Sequence, residues 1–281
     1  MSNGALIFAH NNQGIDYVKM AIFCASRIKK YLDIPVSIIT SDIDYLTAEF
    51  PDHGFDQIIK LNSEPHMLKR YHDGTLSSNK YEWKNTTRNN AYSLSPYDTT
   101  LVVDSDFIIN SPILNLAFER DDSFQIYRKS FDLADWRNRV AYERINQYSI
   151  PFYWATVFVF RKDAVTEALF NLIEYIKLNW RYFRILYNIE YPLFRNDYAF
   201  SIAIHIMNGK TNGEFATELP GKMTYILDTD LLISMTDESM NFLIEKQDYL
   251  GEYITAKTNG LDVHVMNKTS LLRYVDGGNG V

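Results

Sequence analysis

The stretch Thr99-Thr100-Leu101-Val102-Val103-Asp104-Ser105-Asp106-Phe107-Ile108-Ile109 sets two carboxylates, one residue apart, inside an otherwise apolar run. A run of this composition reads as a buried strand, and in an open α/β sheet ligands bind at the carboxyl ends of the strands. Asp104 and Asp106 can there converge on a hard divalent cation, Mn²⁺ or Mg²⁺, whose remaining positions go to phosphate and water. Such a cation neutralises a departing diphosphate. An arbitrary Asp-x-Asp is usually a pair of solvated turn acids. The Leu-Val-Val before this one and the Phe-Ile-Ile after it argue against casual exposure.

Three further residues could join them. His264, in Val263-His264-Val265, offers an imidazole that a short strand can deliver to the carboxylates as a third metal ligand. Lys268 follows four residues later and can meet a phosphate as a point charge. Asn196-Asp197 opens a helical stretch, where an acid is favourable in any protein. Asp197 would also suit sugar hydroxyls, positive charge at an anomeric carbon, or deprotonation of an acceptor.

The elements that must position these groups follow from periodicity. Ala5–Ala9 reads as a buried strand followed by the polar loop His10–Gly14. Ile15, Val18, Ile22, Cys24, Ala25, Ile28 and Leu32 recur at a helical period. Val36–Thr40 reads as a second strand ending at Ser41-Asp42, so strand, helix and strand predict a parallel pair. Further strands are expected at Gln57–Leu61, Ser123–Tyr127, Trp154–Phe160 and Val263–Val265. Helices are expected over Lys80–Leu94, Ala164–Trp180 and Asp197–Met207, and a polar loop over Pro65–Ser78. No repeat, low-complexity tract or linker divides the chain. The expectation is one α/β domain over residues 1–281, with a mostly parallel, Rossmann-type central sheet flanked by helices. Residues 1–110 would form its nucleotide-binding half, and residues 111–281 the acceptor half with the C-terminal metal-ligand segment.

Composition sets wider bounds. With 281 residues, 46% of them hydrophobic, the chain can bury a sizeable core. A formal charge of -7 argues against a protein that coats nucleic acid through a generally basic surface, though not against a local basic groove. The lone Cys24 excludes disulfide stapling and a cysteine-rich zinc site, and its apolar setting marks it as a core residue. Met1-Ser2-Asn3-Gly4 lacks a basic segment, and no apolar stretch is long enough to span a bilayer, so the cytoplasm is the expected compartment. The 20 tyrosines and 17 phenylalanines suit sugars and bases, but most should fill the core.

These pieces, in this order, resemble the nucleotide-sugar glycosyltransferases of the GT-A fold, most closely the glycogenin-like (family 8) branch. The resemblance rests on four segments. Ala5-Leu6-Ile7-Phe8-Ala9 leads into a helix, with Ser41-Asp42 after strand two. Lys84 to Arg88 lie upstream of Asp104-Ser105-Asp106. Trp154 to Phe160 are followed by Asn196-Asp197, and His264-Val265-Met266-Asn267-Lys268 comes last. The family's fuller pattern carries Gly and Lys-Pro-Trp after the histidine. This chain has Asn267 before Lys268 and Thr269-Ser270 after it, which loosens the roles of His264 and Lys268.

The resemblance implies a GT-A-like fold and a hexosyl- or pentosyltransferase dependent on Mn²⁺ or Mg²⁺. It would use a nucleoside diphosphate sugar, a UDP-sugar first among them. It further implies that Phe8, Ala9 and Asn11 face the base and ribose, that Tyr17 stacks on the base, and that Asp42 bonds to base or ribose. Arg88 would approach the diphosphate or sugar and Ser105 the ribose, with Asn196 beside the sugar. It leans towards retention of configuration.

Arg128, Lys129, Arg137, Arg139 and Arg144, and then Arg181, Arg184 and Arg195 among Trp180, Tyr182, Phe183 and Tyr187, form two basic, aromatic stretches. They read as solvated helix faces or as an acceptor groove for a polyanion such as DNA with hydroxylated bases. Some bacteriophage glycosyltransferases act on that acceptor; a glycan is the other candidate. Competing activities are a haloacid-dehalogenase-like phosphatase, with Asp104 as nucleophile and Asp106 as general acid, and a nucleotidyltransferase. Against the phosphatase stand Ile108, where Thr or Val is usual, and the lack of later matching motifs. No glycine-rich phosphate loop with a lysine supports the nucleotidyltransferase. A non-enzymatic sugar- or nucleic-acid-binding protein would not need the paired carboxylates.

Overall fold

The computed structural model describes residues 2–63, 67–134, 137, 142–146, 149–247 and 250–279. The expected positions of Pro65, His66 and Arg139 lie outside them. The chain begins with β1 (Asn3–Phe8), α1 (Tyr17–Leu32), β2 (Val36–Thr40), α2 (Ile43–Glu49) and β3 (Gln57–Lys60). A hairpin of β4 (Met67–His72) and β5 (Ser78–Trp83) follows. A 3-10 turn at Arg88–Asn90 and the short α3 (Ala91–Leu94) lead into β6 (Thr99–Asp104) and β7 (Phe107–Ile108). Then come α4 (Asn115–Phe118), β8 (Phe124–Tyr127), β9 (Ser130–Asp132) and β10 (Trp154–Arg161). Helices α5 (Ala164–Leu178), α6 (Trp180–Leu186) and α7 (Asn196–Met207) precede β11 (Met223–Ile226). Strands β12 (Leu231–Met235), β13 (Ser239–Glu245), β14 (Tyr253–Asn259) and β15 (Val263–Val265) and helix α8 (Lys268–Tyr274) complete the described elements, with a π-helical turn at Val275–Asn279.

The central sheet has six strands in the order β3-β2-β1-β6-β10-β8. β1 is parallel to β2 and β6, and β2 to β3, while β10 runs antiparallel to both β6 and β8. One reversed strand thus interrupts a mostly parallel sheet. Strands covered on both faces need continuous apolar runs rather than alternation. Leu101, Val102 and Val103 of β6 and Val157 to Phe160 of β10 are accordingly all buried. Helix α1 packs on β1 and β2, and α7 packs on β10 and α5. Many of the aromatic residues fill this core, as Phe158–Phe200 and Phe160–Phe170 ring pairs at 4.9 and 5.0 Å illustrate. Cys24 is fully buried behind the Asp104–Phe107 turn, its thiol 3.7 Å from the Asp104 carbonyl and 3.6 Å from that of Phe107.

A second sheet, β7-β15-β11-β9, starts directly after the two aspartates. β15 pairs antiparallel with β7 and parallel with β11. A three-stranded meander, β12-β13-β14, stands beside it. No helix among the described residues is long and apolar enough to cross a membrane.

Three expectations are corrected. The loop over Pro65–Ser78 and the helix over Lys80–Leu94 give way to the β4–β5 hairpin, with helix only from Arg88 onward. Met67 and Tyr71 on one strand and Tyr81 and Trp83 on the other recur at a period of two, which the helical reading of Lys80–Leu94 overlooked. Asp73-Gly74 is the turn between them: Gly74 has φ +71°, and Asp73 N–H donates to the Ser77 carbonyl at 2.9 Å. The helix expected over Ala164–Trp180 ends at Leu178, and α6 starts after Asn179.

Candidate functional site

Asp104 ends β6, beside Phe8 at the end of β1, so the sheet itself delivers the first carboxylate to its carboxyl edge. Backbone pairing delivers the rest. Val265 N–H donates to the Asp106 carbonyl at 2.9 Å, which fixes β15 against β7 and brings His264 Nε2 to 3.3 Å from Asp106 Oδ2. One ligand atom from each of Asp104, Asp106 and His264 lies within 4.8 Å of the others. Lys268 begins α8, whose cap is Asn267: its Oδ1 accepts from Ser270 N–H at 2.9 Å, and its Nδ2 donates to the Asp230 carbonyl at 2.8 Å. The Asn-Lys-Thr-Ser sequence is therefore a helix start that holds Lys268 Nζ 2.5 Å from Asp106 Oδ2. Burial alone would raise the Asp106 carboxyl, but Lys268 and His264 outweigh it and hold the group well below the usual carboxylate range.

Arg88 lies on the opposite side of the pair. Its guanidinium forms an ion pair with Asp104 and donates to the Ala155 carbonyl at 2.8 Å. Asp197 accepts from Ala155 N–H at 3.0 Å and from Arg195 at 2.8 Å, so β10 anchors the start of α7. Asn196 Nδ2 donates to the Asn85 carbonyl at 3.0 Å. These groups line a cavity of about 350 Å³. Tyr17, Arg88, Asp104, Ser105, Asp106, Asn196, Asp197, His264 and Lys268 all face it. Tyr17 is itself buried, with its hydroxyl 3.0 Å from that of Tyr71, and burial raises its pKa well above the ordinary phenol value.

Phe8, Ala9, Asn11 and Asp42 lie elsewhere, in a junction where β1 and β2 end. Asn11 N–H donates to Asp42 Oδ2 at 2.9 Å, and Asn11 Oδ1 accepts from Val18 N–H at 2.9 Å, tying the two loops to the start of α1. Among the basic residues, Arg195 reaches the cavity. Arg137 is buried instead, with Asp132 and Asp230 as bidentate partners, and is unavailable to an acceptor. Asp230 also accepts from Leu227 N–H at 2.8 Å, which fixes the turn that puts Leu227 and Asp228 into the cavity wall.

Sequence reading missed one whole wall: Lys69 and Tyr71 from β4, Trp83 at the end of β5, and Tyr191, Phe194 and Tyr198 around α7. The alternation across the hairpin was the available signal for the first three. Five residues that line the cavity each carry a buried polar atom with no hydrogen-bond partner: His72 Nδ1, Asn85 Oδ1, Arg88 Nε, Trp154 Nε1 and His264 Nδ1. Native proteins satisfy nearly all such groups, so these orphans make the cavity wall a locally under-bonded part of the fold.

No protein-family profile matches the chain, and no curated protein matches it in sequence. Similar solved structures include the glycosyltransferase GlyE of Streptococcus pneumoniae TIGR4, at 13% identity and a TM-score of 0.45, covering 78% of this chain and 45% of that one. The chain thus spans less than half of GlyE. The galactosyltransferase LgtC, in complex with donor and acceptor sugar analogs, is similar at 11% identity and a TM-score of 0.44, covering 76% and 72% of the two chains. A putative glucose-1-phosphate thymidylyltransferase from Bacillus anthracis is similar at 10% identity and a TM-score of 0.45, covering 100% and 96%.

Proposed function

We propose that the chain is a metal-dependent glycosyltransferase of the GT-A type. It moves a hexosyl or pentosyl group from a nucleoside diphosphate sugar, first a UDP-sugar, to a hydroxyl acceptor. Residues 1–110 carry the nucleotide and residues 111–281 the acceptor and the last metal ligand, within one catalytic domain. The observation that carries this reading is the convergence of Asp104, Asp106 and His264 at the carboxyl end of β6, inside the cavity.

Two carboxylates and an imidazole, with ligand atoms within 4.8 Å of one another and His264 Nε2 turned to Asp106, fit Mn²⁺ or Mg²⁺. Asp104, Asp106 and His264 would hold the ion, which when bound supplies Lewis-acid neutralisation of the diphosphate. The protein's own groups do the rest. Lys268 and Arg88 hold positive charge where the leaving diphosphate gathers negative charge. Asp197 and Asn196 orient the transferred sugar, with Asp197 fixed by Ala155 and Arg195 rather than free to swing. Tyr17 packs against the base and Ser105 meets the ribose, while Phe8, Ala9, Asn11 and Asp42 support that side from the junction behind the cavity wall. Buried aromatic walls exclude water that would otherwise hydrolyse the donor.

The phosphatase reading needs Asp106 as a general acid. With the Lys268 ammonium at 2.5 Å the carboxyl stays ionised, so that role is unavailable. A thermal-shift screen of nucleoside diphosphates and nucleotide sugars, with and without Mn²⁺, tests the proposal. One nucleotide that stabilises the protein only with the metal is the expected result. A complete absence of shifts at saturating concentrations would move the assignment to a non-enzymatic binding protein.

A further inference from the structure

We infer that the acceptor carries a phosphate group and that Lys69, on the β4–β5 hairpin, receives it. This rests on the glycosyltransferase reading and names the acceptor class for the same cavity. Three cations in the cavity wall already have a counter-charge: Arg88 on Asp104, Arg195 on Asp197 and Lys268 on Asp106. Lys69 has no carboxylate or other hydrogen-bonding partner among the described residues.

Strand geometry puts Lys69 on the same face as Met67 and Tyr71. Tyr71 is buried against Tyr17, so that face is the one turned to the cavity. The ammonium stands 5.6 Å from the Tyr71 ring centroid and 5.8 Å from that of Trp83. Two aromatic faces position a cation and stabilise it, but they do not neutralise it. Desolvation, followed by the neighbouring charges of Lys268 and Arg195 and against an opposing pull from Asp106 and Asp228, lowers the Lys69 pKa to about 7 although its outer surface stays exposed. A group of this kind gains from an arriving anion.

The donor does not supply that anion. Its diphosphate belongs with Lys268 and the aspartates, where metal and diphosphate charges cancel. Lys69 comes from a separate element, the hairpin, and although Asp106 and Asp228 act on it at a distance, it is paired with neither. A neutral sugar hydroxyl would leave it so. A phosphate supplies charge and strong acceptor oxygens to a point-charge donor.

The test is calorimetric titration of the full chain, first with UDP and Mn²⁺, then, with UDP and Mn²⁺ saturating, with glucose, glucose 6-phosphate and a phosphodiester dinucleotide in turn. At least one phosphate-bearing probe should bind on the order of tenfold tighter than glucose, and the preferred probe distinguishes a monoester acceptor from a phosphodiester one. Lys69→Gln should bring that ratio close to one, and Lys69→Arg should retain most of it. No preference for phosphate in the wild-type chain, a preference that survives Lys69→Gln, or displacement of the sugar phosphate by excess UDP would each overturn the inference. Failure of the glycosyltransferase reading shows separately, in the first titration, as UDP binding that ignores Mn²⁺.

Discussion

His264 and Asp106 are 158 positions apart in sequence, yet His264 Nε2 lies 3.3 Å from Asp106 Oδ2. A backbone bond from Val265 to the Asp106 carbonyl, at 2.9 Å, sets that distance. Asp104 and His264 sit on paired strands and Asp106 in the two-residue turn between β6 and β7 that this pairing clamps, which is a rigid way to hold a preorganised site. Changes to the ligand side chains should then alter chemistry far more than architecture.

Asp104→Asn with Asp106→Asn should abolish Mn²⁺-dependent nucleotide binding and sugar transfer while the far-ultraviolet circular dichroism stays native. The double variant removes the ionic partners of both Arg88 and Lys268, so a loss of about 1–3 kcal/mol in stability is expected as well. Full turnover in this variant would remove the metal site from the proposal.

Lys268→Gln separates binding from chemistry. A positive group at the leaving diphosphate acts mainly in the transition state, so kcat should fall on the order of 10²-fold with a smaller change in donor KM. Steady-state kinetics with the donor found in the screen decides it. A changed KM at constant kcat would make Lys268 a uniform binder instead.

Much of this was legible in the sequence for one physical reason. Strands β1, β2, β6 and β10 are covered on both faces and read as continuous apolar runs, so Asp104 and Asp106 stood out as the polar end of one of them. His264 could be offered to the carboxylates as a third ligand and Asp197 named from its helix start, but the β7–β15 pairing that delivers His264 spans more than a hundred residues and leaves no local trace. The hairpin wall stayed hidden for another reason. Its strand β4 has exposed residues at Leu68, Lys69 and Arg70, so the period-two spacing of Met67, Tyr71, Tyr81 and Trp83 is a weak signal there. The Arg137 guanidinium looked like part of a basic surface, since a buried ion pair reads in sequence like an exposed one.

Arg137→Met should destabilise the protein by about 3–5 kcal/mol, because Asp132 and Asp230 would remain buried without their cation. Urea denaturation measures this directly. Arg137→Lys should recover only part of the loss, since an ammonium cannot reproduce the fork that meets both carboxylates. A loss under about 1 kcal/mol for Arg137→Met would mean that the network holds the Leu227–Asp230 turn less firmly than its hydrogen bonds imply.

His10 is 2% exposed, and its Nδ1 accepts from Ser41 N–H at 3.2 Å, which fixes the neutral ring with its proton on Nε2. Burial, against a weaker opposing pull from Asp42, lowers its pKa from 6.5 to about 4. Between these values the unfolded chain binds a proton that the folded chain refuses. The His10 contribution is thus complete above the unfolded value and is lost as pH falls towards the folded one. The difference corresponds to about 2–3 kcal/mol between neutral pH and about pH 4.5. Other groups titrate in the same window, so the comparison has to be made between wild type and His10→Gln. The variant starts less stable at neutral pH, having lost a fitted buried ring, but its stability should decline less steeply on acidification. Denaturation curves at the two pH values give both slopes, and parallel declines would show that His10 is protonated as readily in the folded chain as in the unfolded one.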